Sequence, residues 1–169
     1  MPIQVTTSRT DQTLALGQHL ALQLAEGDIV LLQGPLGAGK TLLTRGIVGG
    51  LKAEAAPLVT SQSYVIAGEY PTTPRVTHLD LYRLSTTEEV IALGYEELIY
   101  GDGRLSVVEW PALLLPLLDA DDPVITISFA VGENADERVI EASSRHPRLT
   151  QGFRRAARAA LPASRGAAK

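Results

Sequence analysis

The octapeptide Gly34-Pro-Leu-Gly37-Ala-Gly39-Lys40-Thr41 constrains this chain more than any other stretch. It fits G-x-x-x-x-G-K-[ST], the pattern of a loop that wraps phosphates. Its flanks fit as well. Ile29-Val-Leu-Leu32 is short and wholly apolar, as expected of a strand buried on both faces of a parallel sheet. Leu42 to Leu51 reads as a helix. Each residue type has a physical reason. Glycines let the backbone turn its N–H groups inward onto an anion. The helix that follows offers unpaired N–H groups and the positive end of its dipole. Lys40 supplies a point charge for the outer phosphates, and Thr41 a hydroxyl for Mg²⁺. The expected fold is α/β, a P-loop NTPase-like, mostly parallel sheet with flanking helices and a late antiparallel hairpin.

The rest of the chain is read around that unit. Thr13 to Leu24 reads as an amphipathic helix with Asp11 as its cap. Residues 52–63 read as a loop containing Pro57, and Tyr64–Tyr70 and Val76–Tyr82 as strands. Thr87 to Leu93 reads as a short helix stopped by Gly94, and Leu105–Val108 as an apolar strand. Val124–Val131 and Arg138–Ala142 form the late hairpin, turned through GENADE. Leu149 to Leu161 reads as a final amphipathic helix, with a loose tail after Pro162. Two parts are expected: a P-loop domain over 1–148 and a basic helix with its tail over 149–169.

Composition removes whole classes of function. The 169 residues contain no cysteine, which excludes disulfide frameworks, thiolate metal sites and a cysteine nucleophile. No apolar run reaches the roughly 18 residues of a membrane span. The opening MPIQVTTSRTDQ has no apolar signal core. A cytoplasmic protein with no membrane partner is the expectation. The net charge of −4 hides a division. Residues 1–141 hold eight basic and all 19 acidic side chains, whereas 142–169 hold seven basic and none acidic. Such a segment is either a solvated helix face or an arm that touches RNA phosphates.

A P-loop enzyme also needs acids for metal and water, and ligands in such sheets sit at the carboxyl ends of strands. Asp80, in Val76-Thr-His-Leu-Asp80, and Glu109, closing Leu105-Ser-Val-Val-Glu109, are placed for this. Which of them serves metal and which positions water stays open. His78 alternates with Asp80 and so shares its face, and reads as structural. Arg45 and Arg83 read either as helpers of phosphate charge or as partners of nearby acids. Trp110 reads either as a packing aromatic or as a neighbour of the nucleotide, and Tyr82 and Tyr95 read as packing residues.

With GPLGAGKT, HLDLYRL and VVEWP in one chain, the sequence resembles the TsaE family, also called YjeE, from about Thr10 to Arg138. These are bacterial ATPases needed to form threonylcarbamoyladenosine at adenosine 37 of tRNA. The resemblance implies that Gly37, Ala38, Gly39, Lys40 and Thr41 hold the phosphates of ATP, with Thr41 also on Mg²⁺. It implies that Glu109 is the metal-linked acid and that Asp80 serves metal binding or catalysis; Lys40 joins them in the catalytic set. Thr10, Asp11 and a hairpin position near Gly132 match the adenine pocket. The segment 60–64 stands where the family carries a switch-like loop reading S-P-T-[FY], with Gln62 in place of the proline. The resemblance further implies partners, TsaB and TsaD, whose complex the ATPase resets. Contact with tRNA would then be indirect, through that complex.

Two alternatives compete. A small-molecule kinase needs an arginine-rich lid, yet only Arg75, Arg83 and Arg104 lie between residues 53 and 137. A nucleotide-sensing binding module would need the loop without fast chemistry. A guanine reader of the Asn-Lys-x-Asp type is excluded, because Asn134 is the only asparagine. Without a visible internal arginine finger, slow hydrolysis stimulated by partners is expected.

Overall fold

The computed structural model describes residues 1–60 and 66–161. Seven strands form one sheet: β1 (Ile3–Thr7), β2 (Ile29–Gln33), β3 (Ala67–Tyr70), β4 (Arg75–Asp80), β5 (Arg104–Glu109), β6 (Val124–Val131) and β7 (Arg138–Ser143). Their order is β1-β7-β6-β2-β5-β4-β3. The centre, β6-β2-β5-β4, is parallel throughout. Both margins are antiparallel, β7 and β1 on one side and β3 on the other. The expected α/β fold with a parallel core and a late hairpin is what the chain adopts.

The apolar run in β2 sits at the centre because helices cover both of its faces. Val30 and Leu32 point into one core, Ile29 and Leu31 into the other. All four are fully buried, each such side chain contributing about 1.5–3 kcal/mol. The first core lies under α1 (Thr10–Ala21), α2 (Lys40–Leu51) and α5 (Pro147–Ala160). The second lies under α3 (Thr87–Ala92), α4 (Tyr95–Tyr100) and the turns around Leu114. Helix α5 contributes Leu149, Phe153, Ala156 and Ala157 to the first core and leaves Arg154, Arg155 and Arg158 exposed. Among the described residues no helix is long and apolar enough to cross a membrane.

Helices α1 and α2 touch backbone to backbone. A Cβ at Gly46 would lie 2.4 Å from the Leu14 carbonyl oxygen, and one at Gly17 would lie 2.5 Å from that of Leu43. Gly50 repeats the contact one turn on, 2.5 Å from the Gln18 oxygen. Gly50 is thus a packing residue inside α2, not a stop signal.

Several boundaries differ from expectation. Helix α1 starts at Thr10, and Asp11 does not cap it; its carboxylate pairs with the Arg9 guanidinium instead. Residues 53–58, expected as loop, form a 3₁₀ helix. Strand β4 stops at Asp80 because that carboxylate accepts the Tyr82 N–H at 3.1 Å, a side-chain turn that bends the chain away. Helix α3 opens on a reciprocal cap: Thr86 Oγ1 accepts from Glu89 N, while the Glu89 carboxylate accepts from Thr86 N. Gly94 ends that helix as expected, but its left-handed backbone (φ +72°) also launches α4. Strand β1 was not expected either. The segment 61–65 and the tail after Leu161 lie outside the described residues.

Candidate active site

Strand β2 delivers the phosphate-loop motif to the carboxyl edge of the sheet. There Gly34 adopts φ +137°, and a Cβ on it would lie 2.6 Å from the Phe129 carbonyl oxygen of β6. Gly39 (φ +105°) then turns the chain into α2. Both conformations belong to glycine. The first N–H groups of a helix have no carbonyl one turn back. Here they open onto a cleft of about 630 Å³, lined in part by residues 37–42.

Lys40, the first residue of α2, is only 4% exposed. Its Nζ donates to the Gly34 and Pro35 carbonyl oxygens at 2.8 and 2.9 Å. It also lies 4.0 Å from the centre of the Trp110 ring, within cation–π range. Burial lowers the lysine's pKa, and the negative charges of Glu109 and Asp80 work against that shift.

The acids come from the neighbouring strands. In the parallel register of β4 and β5, Asp80 pairs with Glu109. Glu109 is 3% exposed. Its Oε2 accepts from Thr41 Oγ1 at 3.2 Å, and its Oε1 accepts from His78 Nε2 at 2.9 Å. Burial raises the Asp80 carboxyl above the usual carboxylate range; the bond from Tyr82 N–H opposes this, and the Glu109 charge adds to it. Trp110 follows in a left-handed conformation (φ +58°), its N–H bonded to the Leu32 oxygen at 3.1 Å. That bond ties the end of β5 to β2. The Tyr82 ring packs against the indole with centroids 4.8 Å apart.

Thr10, Gly37, Ala38, Gly39, Lys40, Thr41, Asp80 and Glu109 all line this one cleft. Asp11 and Gly132 do not. Asp11 is turned to Arg9, and Gly132 is held in the hairpin turn by its N–H bond to Glu137 O at 2.9 Å. The cleft is closed instead by their neighbours Thr13, Asp136 and Arg138. Arg45 points elsewhere, donating to the Val59 oxygen at 2.9 and 3.2 Å, while Arg83 stands exposed at the rim. Sequence reasoning missed Tyr82 as a wall of the cleft. The signal was present in HLDLYR, where alternation puts His78, Asp80 and Tyr82 on one side and Leu79 and Leu81 in the opposite core.

The donors suit Mg²⁺ in chemical type. A hydroxyl and a carboxylate oxygen stand 3.2 Å apart with a second carboxylate beside them. Among the described residues there is no group of three or more His, Cys, Asp or Glu that could hold a metal alone. Mg²⁺ in phosphate chemistry takes one or two carboxylates and fills its shell with phosphate oxygens and water. This open donor set matches that habit.

Residues 7–140 match the family model described as "Threonylcarbamoyl adenosine biosynthesis protein TsaE". The chain belongs to the TsaE family. It is 41% identical over 126 residues to the tRNA threonylcarbamoyladenosine biosynthesis protein TsaE of Streptomyces coelicolor, covering 72% of this chain and 82% of that one. It is 36% identical over 136 residues to the Treponema pallidum protein of the same name, covering 80% and 97%. The crystal structure of Bacillus subtilus YdiB has the same fold, with a TM-score of 0.70 and 26% identity over 94% of this chain and 95% of that one. The family match spans every cleft residue from Thr10 to Arg138, and so includes both walls of the site.

Proposed function

We propose that this chain is a Mg²⁺-dependent ATPase in the threonylcarbamoyladenosine modification of tRNA, acting with TsaB and TsaD and resetting their complex. Membership of the TsaE family supports the pathway. The observation that carries the chemistry is the convergence of Lys40, Thr41, Asp80 and Glu109 on one glycine-lined cleft.

In this reading the backbone N–H groups of residues 37–41 and the dipole of α2 hold the phosphate chain. Lys40 neutralises charge on the outer phosphates. Thr41 and Glu109 would hold Mg²⁺, which supplies Lewis-acid polarisation of the phosphoryl oxygens when bound. Asp80 orients the attacking water and takes its proton. Its raised pKa brings it nearer to the working range of a general base. Thr10, Thr13 and Arg138 also line the cleft and would receive the base. The basic face of α5 does not line the cleft, and in this reading tRNA is reached through the partner complex.

The kinase alternative loses its lid. Arg75 and Arg104 both pair with Glu69 and start β4 and β5, at the opposite end of the strands from the cleft. Only Arg83 of that midchain set lines the site.

The test is titration of Trp110 fluorescence with Mg²⁺-ATP, ADP and GTP on the native chain and on Lys40→Ala, followed by phosphate release with and without TsaB and TsaD. Saturable adenine-nucleotide binding lost in the variant, and slow hydrolysis accelerated by the partners, is the expected result. Transfer of phosphate to a small acceptor, or full-speed hydrolysis alone, overturns it. Binding without hydrolysis under any condition would leave the nucleotide-sensing module as the better reading.

A further inference from the structure

We propose that His78 is a positioning residue that fixes the plane of the Glu109 carboxylate and so holds one of its oxygens toward the phosphate loop, where the metal would sit. The inference rests on the ATPase reading and names a residue that the reading itself does not use.

His78 lies in the middle of β4 and is fully buried. Its neighbour in the register is Val107, two residues before Glu109 on β5. Nε2 stands 2.9 Å from Glu109 Oε1. An ionised carboxylate has only acceptors, so the ring donates. The other oxygen, Oε2, accepts from Thr41 Oγ1 at 3.2 Å. The two oxygens are therefore divided: Oε1 is held from the sheet side, and Oε2 is left on the side of the phosphate loop. Without His78, the carboxylate plane could turn about its last bond and carry that oxygen out of line with the phosphate loop, because terminal torsions of this type are broad. Among the described residues, His78 Nδ1 has no hydrogen-bond partner, and the one polar bond of the ring is to Glu109. A buried histidine kept for packing alone would leave an apolar residue of similar size as a better choice, because its polar atoms cost free energy to bury.

The test uses the full chain with two substitutions. The side-chain amide of His78→Gln reaches about as far from Cβ as Nε2 does, so it can keep the donor. His78→Leu removes the donor and fills similar space. The readout is ATP affinity by Trp110 fluorescence, in Mg²⁺ and in EDTA, together with thermal unfolding of each variant. Groups that orient a metal ligand typically contribute about 10–100-fold to metal affinity. The expected result for His78→Leu is therefore a loss on the order of tenfold or more in the tightening that Mg²⁺ gives, with affinity in EDTA unchanged. His78→Gln should restore most of that tightening. A purely structural role would instead lower the unfolding temperature and weaken ATP binding equally with and without Mg²⁺. That result, or a His78→Leu chain with native Mg²⁺ dependence, overturns the proposal. Failure of the wild-type chain to bind ATP at all would overturn the ATPase reading itself, and with it any metal role for His78; the two failures are thus separable.

Discussion

The two walls of the cleft are built in opposite ways. One wall is a single stretch, Gly34 to Thr41, whose shape comes from backbone torsions at Gly34 and Gly39. The other is assembled from Asp80, Tyr82, Glu109 and Trp110, residues of two segments brought together by the register of β4 on β5, the Trp110 bond to Leu32 and the packing of Tyr82 on the indole. The contrast has chemical meaning. Backbone donors suit the fixed negative charge common to every phosphate chain. Side chains at strand ends suit metal, water and the reacting bond, where charge changes.

Four substitutions would sharpen or break this contrast. Asp80→Asn attacks the side-chain wall and should have the largest effect. Loss of a general base costs about 10²–10⁴-fold in rate, and phosphate release should fall by that order while ATP affinity changes only a few-fold. The same substitution should raise stability at neutral pH. The sign follows from linkage: with its pKa raised in the folded state, Asp80 binds more protons folded than unfolded. Wild-type stability from this group is therefore full below the ordinary value of 3.8 and is lost as pH rises through the raised one. The stability gain of Asp80→Asn should be largest at neutral pH and shrink toward pH 4, as followed by urea unfolding. A variant that is no more stable at neutral pH would contradict the burial argument.

Lys40→Ala attacks the backbone wall at its one charged side chain. Hydrogen bonds to charged groups are worth about 1.5–3 kcal/mol, roughly 10–150-fold, and here the loss should appear in ATP binding by calorimetry. If binding survives and only the rate falls, the two walls do not divide the work as described. Gly46→Ala tests what stands behind the loop. Its Cβ would meet the Leu14 oxygen at 2.4 Å, and overpacking of this kind costs about 1–3 kcal/mol. Thermal unfolding should show that loss, and ATP affinity should fall with it if the α1–α2 contact sets the loop. Trp110→Phe should have the smallest effect. It keeps an aromatic face for the buried Lys40 but a weaker one, so only part of a desolvated cation–π contact of about 2 kcal/mol is lost. A two- to five-fold change in ATP affinity by calorimetry is expected; a larger one would mean that the indole touches the nucleotide.

The same division explains what the sequence made legible. The loop wall was readable because its residues are adjacent and its glycines have no substitute. Asp80 and Glu109 were readable because each closes an apolar run. The Glu109–His78 and Glu109–Thr41 bonds were not, since they join residues 31 and 68 positions apart. Strand β1 was missed because Ile3-Gln-Val-Thr-Thr7 carries only two apolar residues on its inner side, and its strand character comes from pairing with β7. Helix α4 was missed because Gly94 reads as an end, whereas its left-handed turn serves two helices at once. Asp11 was read as a cap from residue type alone, but a guanidinium two positions away captures its carboxylate.

The sheet order has a consequence for how the protein is made. Strand β1 pairs only with β7, the last strand in the chain, and β2 pairs only with β5 and β6. At translation rates of about 5–20 residues per second, β1 waits on the order of ten seconds for its partner. The apolar run Ile29–Leu32 of β2 waits a shorter time for β5, but with far more to hide. The glycine-sealed pair α1 and α2 flanks β2 directly in sequence and can close before either partner strand exists. Two of the helices that cover one face of β2 are thus complete in the growing chain before the strands that flank it.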